Sequence, residues 1–227
     1  MCGAYTAINN PFTGKLSSLL GVPDIENRGI RVPASTIQII HENQDARLLS
    51  DAKWWLMLNP DGKPNYKYST FNSRSDKLFS SNLTKGLFKQ SRCIIPASGF
   101  IEGQDKKYHL LENANGALAL GGICKYYKIN DEIITTASII TCPGGNPQLE
   151  NIHRKSVPLI LDHNDSNLID MWLDASMTES RAFTDLLTNN ITLDLVATPI
   201  AKARDLTPIN QPIEIHADVQ SNHTDTR

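Results

Sequence analysis

Apolar positions along this chain fall mostly in short runs closed by Gly, Pro, Asn or Asp, not at helical spacing. The runs Thr36–Ile40, Trp54–Leu58, Cys93–Ile95, Tyr108–Leu111, Leu118–Ile123, Ile133–Cys142, Val157–Leu161 and Leu193–Ala197 are rich in β-branched, aromatic or leucine residues and predict strands. Asn115-Gly116 lies between two of these runs and predicts a hairpin. Helical patterning is confined to a few places. Asn164-Asp165-Ser166 caps a segment that sets Leu168, Ile169 and Trp172 on one face. Phe183, Leu186 and Leu187 share a second helical face, and a short helix is expected around Asn82–Phe88. Strands do not alternate with helices as in βαβ units, and no Gly-rich phosphate loop is present. The pattern predicts an α+β fold with a predominantly antiparallel, barrel-like sheet and a few peripheral helices.

Composition narrows the setting. No linker, repeat or charge block divides the 227 residues, so one domain over 2–215 is expected, followed by a polar, flexible tail at 216–227. At 40% hydrophobic and 20% charged residues the chain reads as an ordinary soluble protein. No apolar run approaches the roughly 18–20 residues that span a bilayer, and the start lacks a secretory pattern. A monomer in the cytoplasm is the expectation. The cysteines Cys2, Cys93, Cys124 and Cys142 include no Cys-x-x-Cys pair and no zinc-like spacing with histidine, so free thiols, no metal and no cofactor are expected. The net charge is −2, yet Lys53 to Lys107 holds ten basic residues against four acidic ones, a local excess of six. Such a stretch suits a phosphate-bearing partner.

The chemistry begins at Cys2, directly behind Met1 and ahead of Gly3. Aminopeptidases remove Met before a small residue, which would leave Cys2 with a free amine. An α-amine titrates at roughly 7.7–8 and a thiol at about 8.5, so both are partly reactive near neutral pH. Together they can trap an aldehyde: the amine forms a Schiff base and the thiol closes a thiazolidine. The same residue can instead attack an amide as an amidohydrolase nucleophile.

Four segments accompany one another in order: Met1-Cys2-Gly3, Phe71-Asn72-Ser73-Arg74, Arg92-Cys93-Ile94-Ile95-Pro96-Ala97-Ser98-Gly99-Phe100-Ile101-Glu102, and His153-Arg154-Lys155-Ser156-Val157-Pro158. The set resembles the SRAP family (SOS response-associated peptidase), the abasic-site processing proteins. The resemblance implies a covalent DNA-repair function: the family's cysteine bonds the ring-opened aldehyde of an abasic deoxyribose in single-stranded DNA. It also implies roles for Cys2 as nucleophile, Asn72 in orienting the opened sugar and the amine, Glu102 as acid and base, and His153 beside the sugar and phosphate. Those residue types suit the chemistry. Opening the sugar ring and expelling water each need a proton, which a partly buried carboxyl can supply. An amide donates and accepts without changing charge, and an imidazole exchanges protons near pH 7.

For the DNA, Arg74 shares a face with Asn72 in an extended segment and is the leading phosphate ligand. Arg154 and Lys155 are further candidates, and Trp54 or Trp55 is a candidate for stacking on a base. Four features depart from the family: Ala4 where arginine is usual, Ile101 and Gly103 in place of aromatics around Glu102, Val157 in place of methionine, and one extra residue between His153 and Pro158. Two other readings stay open. One is an amino-terminal-nucleophile amidohydrolase resembling glutamine amidotransferases. The other is a DNA-binding module without covalent chemistry.

Overall fold

The structure, a computed structural model, describes residues 2–43 and 46–218. The amino-terminal half supplies strands β1 (Ala4–Ala7), β2 (Gly29–Arg31), β3 (Thr36–Asn43), β4 (Ala46–Lys53) and β5 (Asn72–Arg74), with helices α1 (Pro11–Leu19) and α2 (Lys85–Gln90). The middle is a run of strands: β6 (Arg92–Ala97), β7 (Gly99–Gln104), β8 (Lys107–Asn113), β9 (Leu118–Ile129), β10 (Glu132–Pro143), β11 (Ser156–Pro158) and β12 (Ile160–Leu161). Helix α3 (Ser166–Leu173) and strands β13 (Leu195–Lys202), β14 (Asp205–Pro208) and β15 (Ile213–Ile215) complete the chain.

The strands form two sheets. One runs in the order β14-β13-β8-β7-β1-β2, with β15 beside β13. The other runs β10-β4-β3-β6-β9 and closes as a five-stranded barrel through the long β9–β10 ladder. Strands β5 and β11 extend it beside β10, and β12 beside β9. This is the α+β, mainly antiparallel, barrel-like architecture expected from the sequence. Strand β6 and the adjoining stretches of β9 and β10 are buried on both faces, which explains their unbroken apolar runs. Cys93, Ile95 and Ala97 of β6 join a core shared with Tyr5, Phe100 and Leu111 of the other sheet. Ile94, between them, faces the layer formed by Leu16, Trp172 and Phe183. Arg92 ties that layer down. Buried, it donates to the carbonyls of Phe88, Lys89, Trp172 and Asp174 and stacks 4.7 Å from the Phe183 ring.

Several expectations are corrected. Trp54–Leu58 is not a strand: β4 ends at Lys53, and the run is buried as irregular chain, bridging only at Leu58–Pro64. Asn115-Gly116 is not a hairpin. Strands β8 and β9 belong to different sheets, and the turn hands the chain from one to the other. Neither residue has positive φ; an Asx turn, Asn115 N–H to Asn113 Oδ1, and the bond from Asn113 Nδ2 to Ala117 O fix the corner instead. Among the described residues, two-residue hairpin turns occur at Asp105-Lys106 (φ 52° and 64°) and Asn130-Asp131 (φ 49° and 63°). Both have the left-handed pair of a type I′ turn. The Val157–Leu161 run divides into β11 and β12 at Leu159. Of the expected helices, α3 is capped by Asp165, α2 spans part of Asn82–Phe88, and the Phe183 segment is a 3-10 helix, Ser180–Leu186. Of the expected tail, residues 216–218 are tied to the body: Asp218 accepts from Ile191 N and Asn146 Nδ2. Residues 219–227 lie outside the described residues, as does Met1.

Candidate active site

Strand β1 is hydrogen-bonded on both sides, to β7 and to β2. Its antiparallel register with β7 pairs Ala4 with Ile101, which carries Cys2 toward the Glu102 end of that strand. Cys2 has no exposed surface, and its thiol lies 3.6 Å from Ala4 O. Burial pushes the thiol well above its ordinary value, and the nearby Glu102 carboxyl pushes it further.

Asn72 reaches the same place from the other sheet. The parallel pairing of β5 with β10 sets Asn72 opposite Ile139, and Asn72 Nδ2 donates to Cys2 O at 2.8 Å. Glu102 is 4% exposed, and burial pushes its carboxyl up to about 8, so it is largely protonated at neutral pH. Its Oε2 lies 3.5 Å from Nδ1 of His153. That nitrogen is also 3.1 Å from Gly103 O, a pure acceptor, so Nδ1 carries the proton. Burial lowers the His153 pKa, which keeps the ring neutral. Among the described residues, Asn72 Oδ1 and Glu102 Oε1 are buried here without a hydrogen-bond partner.

The four residues singled out for chemistry thus converge from both sheets. Beside them a groove of about 670 Å³ is lined by Arg74, Asp76, Thr141, Pro143, His153 and Lys155. Arg74 and Lys155 therefore share one groove. Arg74 is gripped by Asp76 through two bonds, 2.9 and 2.6 Å, which offsets its charge. Arg154 is instead held by Gln104 and by Asp105, 3.4 Å away.

Trp54 is corrected. It is fully buried, donates its indole N–H to Phe71 O, and packs edge-on against Tyr5, so it offers no face to a base. Trp55 is buried as well. The accessible rings nearby are Tyr66 and Tyr68, 69% and 48% exposed. Tyr66 caps Trp55 at 5.1 Å, Trp55 packs on Phe71 at 5.5 Å, and Lys67 lies over Tyr68. Interleaved Tyr66-Lys67-Tyr68 is the sequence signal that points to this surface. Within the basic stretch from Lys53 to Lys107, Arg92 and Glu102 are both buried, so one base and one acid leave the surface and the excess of six remains there. Among the described residues no group of three His, Cys, Asp or Glu side chains could hold a metal ion. No helix among them is long and apolar enough to cross a membrane.

A family model described as SOS response associated peptidase (SRAP) matches residues 1–204. The abasic site processing protein HMCES of Gallus gallus is 29% identical over 203 residues, covering 74% of this chain. The match spans 59% of that relative's own length. Among solved structures, a protein from Bordetella bronchiseptica superposes with a TM-score of 0.70 at 18% identity, covering 88% of this chain and 99% of its own. One from Bacteroides thetaiotaomicron gives 0.69 at 19%, covering 88% and 92%. A phage-related protein of Bordetella bronchiseptica gives 0.65 at 16%, covering 91% and 100%. These three likenesses concern the fold.

Proposed function

Because the chain belongs to the SOS response associated peptidase (SRAP) family, we propose that it processes abasic sites in single-stranded DNA by bonding the lesion to Cys2. The observation that carries this reading is the convergence of Cys2, Asn72, Glu102 and His153, with Asn72 Oδ1 and Glu102 Oε1 without partners among the described residues. The gallid relative named for abasic-site processing supports the substrate class.

Removal of Met1 gives Cys2 its free amine. The protonated Glu102 carboxyl gives its proton to the ring oxygen of the closed sugar, the bond from that oxygen to C1′ breaks, and the C1′ hydroxyl returns a proton to the Glu102 carboxylate as the aldehyde forms. The amine attacks C1′ while Asn72 holds the Cys2 backbone. Loss of water from the carbinolamine gives the imine, and Glu102 again supplies the proton that water carries away. The thiol is neutral at pH 7 because it is buried, so the amine attacks first. The thiol then adds to the imine carbon and its proton passes to the ring nitrogen. Neutral His153 shares this traffic. Arg74 and Lys155 hold phosphates along the groove, and Tyr66 and Tyr68 offer faces to neighbouring bases.

The test is incubation with an oligonucleotide bearing one abasic site, followed by denaturing electrophoresis and intact mass. The expected product is a denaturant-resistant adduct whose mass is the sum of processed chain and DNA less one water. Its absence, or its persistence in Cys2→Ala, overturns the reading. Turnover of glutamine without an adduct would favour the amidohydrolase.

A further inference from the structure

The loop that carries His153 is held from two sides. On its inner side Leu149 and Ile152 are buried, and Leu149 O accepts from the N–H groups of Ile152 and His153 at 2.9 and 2.8 Å. Its outer side meets the end of β7 through one side chain. Gln104 Oε1 accepts from Arg154 N and from Arg154 Nε, each at 3.1 Å, and Gln104 Nε2 donates to Glu150 O at 3.1 Å. One amide thus grips the loop at residues 150 and 154, on either side of His153. The backbone of its neighbour, Gly103, receives the His153 ring.

We propose that Gln104 is a positioning residue: its side-chain amide clamps residues 150–154 to the end of β7 and so holds the His153 ring against Glu102. An amide suits the task. A carboxylate could not donate to Glu150 O, and an amine could not accept from Arg154. A loop held at both flanks also keeps its imidazole from swinging into water, which would separate Nδ1 from both Gly103 O and Glu102. The clamp therefore acts on His153 and on no reacting atom.

The inference rests on the proposed use of His153 only for its effect on rate; the placement of the ring can be measured without DNA. Gln104→Met keeps the volume and removes all three bonds. Gln104→Glu keeps the acceptor for Arg154. Gln104 is partly exposed, so both variants are expected to fold, with thermal unfolding as the control. In the first arm, NMR follows the titration of the His153 ring. The groups facing it include Glu102 on β7, the terminal amine ahead of β1, and Lys155 on its own loop, all unchanged by the substitution. In Gln104→Met the midpoint is expected to rise toward the ordinary histidine value of about 6.5 as the ring gains water. An unmoved midpoint overturns the proposal. In the second arm, adduct formation is timed for Gln104→Met, His153→Ala and the double variant. Gln104→Met is expected to slow the reaction about 5- to 10-fold alone and to add nothing to His153→Ala, the non-additivity of residues acting through one another. Gln104→Glu is expected to stay within about twofold of wild type. Independent, multiplicative losses, or equal losses in both Gln104 variants, overturn the clamp. Failure of wild type to form any adduct would sink the functional reading and leave the titration result standing.

Discussion

A carboxyl raised to about 8 makes Glu102 a proton source at neutral pH, and it makes the folded state sensitive to pH in an unusual direction. The unfolded carboxyl loses its proton near the ordinary value of about 4.5, while the folded one keeps it. Stability from this residue is therefore complete below about 4.5 and is lost as pH rises toward about 8, by roughly 1.4 kcal/mol for each pH unit. Glu102→Gln removes the ionisation. Urea unfolding at pH 6 and pH 8 should show the variant gaining on wild type by about 2 kcal/mol across that interval, while adduct formation slows on the order of 100-fold. A gap that does not change with pH would show that the carboxyl titrates normally. His153 has the opposite sign, since its lowered folded value withdraws stability as pH falls through the ordinary histidine range. The residue types and their order along the chain were legible in the sequence. Partial burial of Glu102 was legible too, since it follows the apolar run Gly99-Phe100-Ile101; its near-complete extent was not, because that depends on the packing of β1 against β7.

Strands with continuous apolar runs, such as β6, β9 and β10, were legible because both their faces are buried. The short strands that present the site were not. Asn72–Arg74 is polar and three residues long, and it is a strand only because β10 offers it a parallel edge. The tryptophan pair misled for the converse reason: an apolar run buried as loop has the same composition as one buried in a sheet. Asn115-Gly116 has hairpin chemistry but sits where the chain changes sheets, so tertiary context overrides the local signal. Gly144, just past β10, shows how tightly the His153 loop is seated. A Cβ there would lie 2.1 Å from Arg154 O, and Gly144 N already donates to Lys155 O at 3.0 Å. Gly144→Ala must push the loop outward. Unfolding should register a loss of about 1–3 kcal/mol, and adduct formation should slow with it. A variant with wild-type stability and rate would mean the loop yields freely.

Across the whole molecule, Arg92 joins α2, β6, α3 and the chain beyond α3 through four main-chain carbonyls. Arg92→Ala leaves those acceptors facing an apolar layer and should cost about 3 kcal/mol or more, read as a lowered denaturant midpoint. A loss below about 1 kcal/mol would mean water replaces the guanidinium. The fold also sets which charges reach the groove. The two phosphate ligands proposed above, Arg74 and Lys155, line the groove, so the log–log salt slope of DNA association should be near −1.4, at about −0.7 per contact. A slope near −4, at the same −0.7 per contact, would mean that the full local excess of six engages the strand. The central place of β1 has a mechanical consequence. DNA joined to Cys2 would pull on a strand laced to neighbours on both edges. Force from a translocating motor would load those ladders in shear, where bonds share tension and rupture together. The attachment point is thus among the better-anchored handles this chain could offer.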